Sequence, residues 1–171
     1  MIKKFTIKNK KNKIFIVLVD KEDYHRIKQY KWHVAYSLRD SRYSAIKTTF
    51  KQKTILLHRV ILKVKNKFKV VDHINGNIFD NRKKNLRICL PKENCRNKKL
   101  NKNSMSGYKG VTLSSGGTWV ARIVVNKKIL NLGSFKTKKE AANVYNKAAK
   151  KYFRTFACLN KINNKEGLEE K

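Results

Sequence analysis

The stretch that decides how this chain is read is Val71-Asp72-His73-Ile74-Asn75-Gly76-Asn77. It continues as Asn81-Arg82-Lys83-Lys84-Asn85-Leu86-Arg87 and, on a predicted helix, Asn94. Phe68-Lys69-Val70-Val71 is strand-like, Asn75-Gly76 is a turn signal, and Leu86-Arg87-Ile88-Cys89 reads as a second strand. Pro91 suits the first position of a helix over 91–99. Strand, long loop, strand, helix is a ββα order. A carboxylate beside an imidazole, followed by asparagines and basic groups, supplies what hydrolysis at a phosphate with one metal ion requires. The needs are oxygen ligands for a hard cation, a base near neutral pH, and cations to hold phosphate. One geometric condition applies. In a continuing strand, Asp72 and His73 point to opposite faces. They share a site only if the strand ends near them, and Ile74-Asn75-Gly76-Asn77 supplies such an ending.

Outward from this stretch, composition narrows the partner. The 171 residues carry 43 Lys and Arg against 11 Asp and Glu, a formal net charge of +32. Coding bias toward AT-rich codons would raise Glu as readily as Lys, so the imbalance points to a polyanion, with nucleic acid favoured over an anionic membrane surface. No apolar run is long enough to span a bilayer, and Met1-Ile2-Lys3-Lys4 is not followed by a signal-peptide core. Cys89, Cys95 and Cys158 form no C-x-x-C pair. Reduced thiols in the cytoplasm are therefore expected, or in a nucleus if the source is eukaryotic.

The chain divides into a β-rich module over 1–57, the ββα segment over 58–99, a polar linker over 100–106, a third module over 107–160 and a tail over 161–171. In the first, Phe5–Ile7 and Ile14–Val19 read as strands around an Asn9–Asn12 turn, and Asp20 as the cap of a helix over 21–30. Alternation at Trp32, Val34, Tyr36 and at Tyr43, Ala45, Lys47 predicts a further hairpin. Ile55–Leu62 reads as a short helix. In the third, strands are predicted over Tyr108–Leu113, Trp119–Val125 and Lys128–Leu132. Thr137-Lys138-Lys139-Glu140 is a capping box opening a helix to about Phe153, with Ala141, Val144, Tyr145, Ala148 and Tyr152 on one face. The fold class expected is α+β.

Asp-His, Asn-Gly-Asn, Asn-x-x-x-Asn-Leu-Arg and a helix-borne Asn, in this order from Leu57-His58-Arg59 through Asn97, resemble the HNH endonucleases of the phage or intron-encoded type. That resemblance implies a ββα-metal nuclease core acting on double-stranded DNA. It implies Asp72 and Asn94 as ligands of one divalent cation, Mg²⁺ or Mn²⁺, and His73 as the general base that activates water. It implies that Asn85 braces the loop and orients His73 through a side-chain hydrogen bond. Lys83 and Arg87 become candidates for phosphate contacts. Taken alone, Asp72 would merely pair with a neighbouring base and His73 would be a satisfied interior histidine. The surrounding pattern reverses those odds. Asp80 reads as a cap or a partner of Arg82. His58 reads as packing or catalytic, and His25 and His33 as structural.

Tyr108-Lys109-Gly110-Val111, Trp119-Val120-Ala121-Arg122-Ile123, Leu132-Gly133-Ser134-Phe135, Glu140-Ala141-Ala142 and Tyr145-Asn146-Lys147-Ala148-Ala149 resemble an AP2/ERF-type DNA-binding domain. In that family a three-stranded antiparallel sheet lies in the major groove with a helix behind it. Alternation places Trp119, Ala121 and Ile123 toward the helix and Val120, Arg122 and Val124 outward. Leu130 and Leu132 point in, Ile129 and Asn131 out. Lys109, Thr112, Arg122 and Asn131 are candidates for groove contacts, with Lys127 and Lys128 near phosphates.

Together these features predict a site-specific, metal-dependent DNA endonuclease of the homing type, nicking one strand as a monomer on an asymmetric target. The alternatives are a non-catalytic DNA-binding regulator that keeps the nuclease fold as a relic, and a restriction or defence nuclease.

Overall fold

The computed structural model describes residues 1–9, 11–38, 41–96, 100 and 104–162. It is a mixed α and β structure of small antiparallel sheets. The chain forms two compact units, Met1–Asn94 and the residues from Cys95 onward.

The first unit opens with a hairpin, β1 (Ile2–Lys8) and β2 (Ile14–Asp20), in which every second residue of β2 turns inward: Phe15, Val17 and Val19 are buried. Helix α1 (Lys21–Ile27) follows directly. Asp20 occupies its cap position by backbone geometry, but its carboxylate makes no cap bond. It accepts instead from the backbone N–H of Lys83 at 2.8 Å. A three-stranded sheet then forms from β3 (His33–Ser37), β4 (Arg42–Phe50) and β5 (Lys53–Leu56). The helix expected over 55–62 is thus shortened to α2 (Leu57–Ile61). Ile55 and Leu56 pair with Thr48 and Lys47, because Lys51 and Gln52 both adopt positive φ (46° and 62°) and close a tight hairpin.

The ββα segment appears as β6 (Val70–His73), a loop with a 3₁₀ turn at Lys83–Asn85, β7 (Leu86–Cys89) and α3 (Pro91–Arg96). Residues 97–99 of the helix expected to run to Lys99 lie outside the described residues, as do 101–103 of the expected linker and the tail from 163 onward. The segments read separately as 1–57 and 58–99 share one core. Ile7, Val17, Val19, Ile27 and Ile46 pack in the same cluster as Leu57, Ile61, Val71 and Leu86. The physical reason is supply: a two-stranded β6–β7 ribbon and a five-residue helix bury too little to stand alone.

In the second unit, β8 (Val111–Leu113), β9 (Trp119–Val125) and β10 (Lys128–Phe135) form an antiparallel sheet in the order β10-β9-β8. Helix α4 (Lys138–Phe153) packs on it, its first turn closed by the reciprocal Thr137–Glu140 capping box. The buried stripe is Ala141, Ala142, Tyr145, Ala149 and Phe153. Tyr152, expected inward, is exposed, and Phe153 takes that place. Val120, expected outward, is buried on the central strand between Thr112 and Ser134. No helix among the described residues is long and apolar enough to cross a membrane.

Candidate active site

Strand β6 ends at His73, so Asp72 and His73 are its last two residues, paired with Arg87 and Leu86 of β7. Asp72 and His73 are both buried, and their partners differ. Asp72 stands opposite Arg87 on β7. The Arg87 guanidinium donates to the same carboxylate oxygen from Nε at 2.8 Å and from Nη2 at 2.6 Å. The His73 ring meets the His58 ring of α2 edge-on, with centroids 5.4 Å apart, and its Nε2 lies 3.3 Å from Oδ1 of Asn81.

Burial lowers the pKa of His73 below the usual histidine value, opposed by the Asn81 hydrogen bond and by the charges of Asp72 and Asp80. Burial, with His73 and Arg59 close by, pushes His58 down to about 4. Both rings are therefore neutral near pH 7.

A network of short polar side chains shapes the 74–85 loop. Asn85 Nδ2 donates to Asn75 Oδ1 (3.0 Å) and to the Asp80 carbonyl (2.7 Å), and its Oδ1 accepts from the Asn75 N–H (3.0 Å). Asn85 braces the loop in this way. The side chain within hydrogen-bond distance of His73 Nε2 is that of Asn81. Asp80 is held by Arg82 through two bonds of 2.6 Å, which keep its carboxyl below the usual range. Strand β2 fixes the whole loop to the core: Leu18 donates to the Phe79 carbonyl and accepts from the Asn81 N–H, each at 2.8 Å. Phe15 stacks on Phe79 at 5.3 Å. The amino-terminal hairpin is thus a scaffold for this loop.

The other residues expected to serve the site lie as follows. Asn94 is exposed on α3. The Lys83 ammonium pairs with Glu22, and with Asp23 at 3.2 Å, which raises its pKa. In the second unit, Lys109 is half-buried, and its ammonium donates to the Arg96 carbonyl at 2.9 Å. Burial lowers its pKa. Thr112, Arg122, Lys127, Lys128 and Asn131 are exposed. Arg122 and Asn131 stand opposite each other across β9 and β10. Asn131 Oδ1 also accepts from the Gly133 N–H at 3.2 Å, within the bulge of β10. Beside them, Val124 and Ile129 form an exposed cross-strand apolar pair.

Among the described residues, no group of three or more His, Cys, Asp or Glu side chains is placed to hold a metal ion. The Asp72 carboxylate and the Asn94 amide are hard oxygen donors, and that donor chemistry fits Mg²⁺ or Mn²⁺. One Asp72 carboxylate oxygen is turned to the Arg87 guanidinium.

Over 141 aligned residues the chain is 31% identical to an uncharacterized HNH endonuclease of Acanthamoeba polyphaga mimivirus, across 80% of this chain and 70% of that protein. The chain belongs to the HNH endonuclease family. A 44-residue segment is also 48% identical to Protein 3.8 of Escherichia phage T7, covering 26% of this chain and 36% of the phage protein. No family model matches the chain, and no solved structure matches it. In this HNH chain the residues Asp72 to Asn94 lie on β6, the 74–85 loop, β7 and α3.

Proposed function

We propose that this chain is a site-specific, metal-dependent DNA endonuclease of the homing type that hydrolyses phosphodiester bonds and nicks one strand as a monomer. The observation that carries the reading is the buried imidazole of His73, next in sequence to the buried Asp72 at the end of β6 and held by His58 and Asn81, in an HNH family member of net charge +32.

The hydrogen bonds support one tautomer of that ring. Asn81 Nδ2 donates to the Ile78 carbonyl at 2.8 Å, so Oδ1 is the atom turned toward His73. In this reading His73 Nε2 donates to Asn81 Oδ1, and the lone pair is on Nδ1. Nδ1 is the atom that would take a proton from the attacking water. Asn85 keeps the loop in shape for this by tying Asn75 to Asp80. Asp72 and Asn94 would hold the divalent cation, which supplies charge stabilisation at the scissile phosphate. Arg87 would pass from Asp72 to a phosphate oxygen.

The three-stranded sheet backed by α4 supports reading residues 107–160 as an AP2/ERF-like module that reads DNA. Arg122, Asn131 and Thr112 then face base edges, with Lys127 and Lys128 on phosphates. Lys109 serves the interior of this module rather than the groove.

The test is cleavage of supercoiled plasmids carrying phage or host genomic fragments, with Mg²⁺, Mn²⁺ or EDTA. Open-circle product at one mapped locus, dependent on metal, is expected. Specific gel-shift binding with no cutting of any fragment would favour a DNA-binding regulator instead.

A further inference from the structure

Residues 41–71 contain nine lysines and arginines and no acidic residue. Their last part, the loop joining α2 to β6, places lysines at alternate positions 63, 65, 67 and 69. Lys63, Lys65 and Lys67 are exposed. Among them stands Phe68, with 72% of its surface open to water. The Lys67 ammonium lies 5.4 Å from its ring centroid.

The loop has a built shape. Arg59 on α2 donates to three of its carbonyls: Lys69 at 2.6 Å, Asn66 at 2.8 Å and Val64 at 3.3 Å. Asn66 Oδ1 accepts from the Phe68 N–H at 2.8 Å, and the Asn66 carbonyl from the Lys69 N–H at 3.3 Å. A loop clasped this way holds its aromatic ring outward, where water gives it nothing. Phe68 is four residues before Asp72 and five before His73, and β6 begins two residues after it.

We propose that the 62–69 loop is a DNA-docking wedge, with Lys63, Lys65 and Lys67 on the phosphate backbone and Phe68 pressed against the base stack beside the bond to be cut. The identity of the partner rests on the nuclease reading above. Three features select duplex DNA: a uniformly cationic stretch, an aromatic face that any base can stack on, and direct continuity with the β6 site. Prying bases apart next to the scissile bond would also bend the duplex toward the site.

The test uses the full chain in EDTA with three probes: a labelled 40-base-pair mixed-sequence duplex, heparin, and phosphatidylserine vesicles. Phe68→Ala should bind the duplex on the order of ten-fold more weakly, the effect of losing one stacked ring. Its heparin affinity should be unchanged, because heparin offers charge without bases. Lys65→Ala and Lys67→Ala should each reduce the salt dependence of duplex binding by about one unit of slope. Phe68→Trp, which keeps a stacking ring, should retain affinity and lose extra indole emission on the duplex relative to wild type.

Equal losses on duplex and heparin, no loss at all, or quenching by vesicles rather than duplex would overturn the wedge. Wild type that fails to bind the duplex would remove the wedge. A Phe68-dependent complex in a protein that never cuts would remove the nuclease reading alone.

Discussion

Asp72 and Arg87 face each other across β6 and β7, and two N–H donors of the guanidinium converge on one carboxylate oxygen at 2.8 and 2.6 Å. Their side chains are 7% and 15% exposed, so the pair is largely removed from water. Removing one partner leaves an uncompensated buried charge. Arg87→Met should lower the unfolding free energy by about 3 kcal/mol. Mn²⁺ should restore part of that loss by replacing the guanidinium as the counter-charge of Asp72. Thermal melts with and without Mn²⁺ check this. A variant whose melting ignores Mn²⁺ would place Asp72 outside the metal site.

Asn81 is 1% exposed and joins the His73 ring to the Ile78 carbonyl. Asn81→Ala should release the tautomer of His73 and lower kcat more than it changes KM, since the contact orients a base and touches no substrate. The imidazole nitrogen shifts of ¹⁵N-histidine protein should show Nε2–H alone in wild type and both tautomers in the variant. An unchanged ring in Asn81→Ala would remove Asn81 from this role.

The pH dependence of stability follows from the buried histidines. A folded pKa of about 4 for His58 lies below the ordinary 6.5. Between these values the unfolded chain binds the proton and the folded one does not. Stability is therefore complete above about pH 6.5 and declines as pH falls toward 4, by up to about 1.4 kcal/mol per pH unit from this residue. His73 contributes with the same sign, because its pKa is also lowered. Urea titrations from pH 4 to 7.5 should show the slope, and His58→Leu should flatten it.

In the second unit, Gly110 sits at φ +73°, and a β-carbon there would lie 2.2 Å from the Tyr145 ring and 2.5 Å from the Arg122 carbonyl. Gly110→Ala combines a backbone penalty with a clash that includes main chain, so it should cost at least about 3 kcal/mol. The check is limited proteolysis: α4 should become cleavable in the variant while fragments of residues 1–94 persist.

Local chemistry explains which parts were legible in the sequence. The alternation of Trp119–Val125 and the Thr137–Glu140 box gave β9 and the start of α4 to the residue, because each signal is complete within a few positions. β5 was missed because its turn, Lys51-Gln52, uses positive φ without Gly or Asn. Val120 was placed outward by alternation alone; it is buried between Thr112 and Ser134, whereas Arg122 and Val124 farther along the same face are exposed. Asp72 and His73 were visible as an adjacent pair. Their partners were not. Arg87 is set by the register of β6 on β7, and Asn81 by a loop that β2 holds from more than sixty residues earlier in the chain. Nothing in Asp80-Asn81-Arg82 distinguishes Asn81 from an ordinary loop asparagine until that docking is known.

The most direct test of the central claim is single-turnover cleavage of a mapped target by wild type and His73→Ala, with DNA binding measured on the same preparations. The account predicts a loss on the order of 10²–10⁴ in rate for His73→Ala, with binding nearly intact. Cleavage by His73→Ala at the wild-type rate would contradict it.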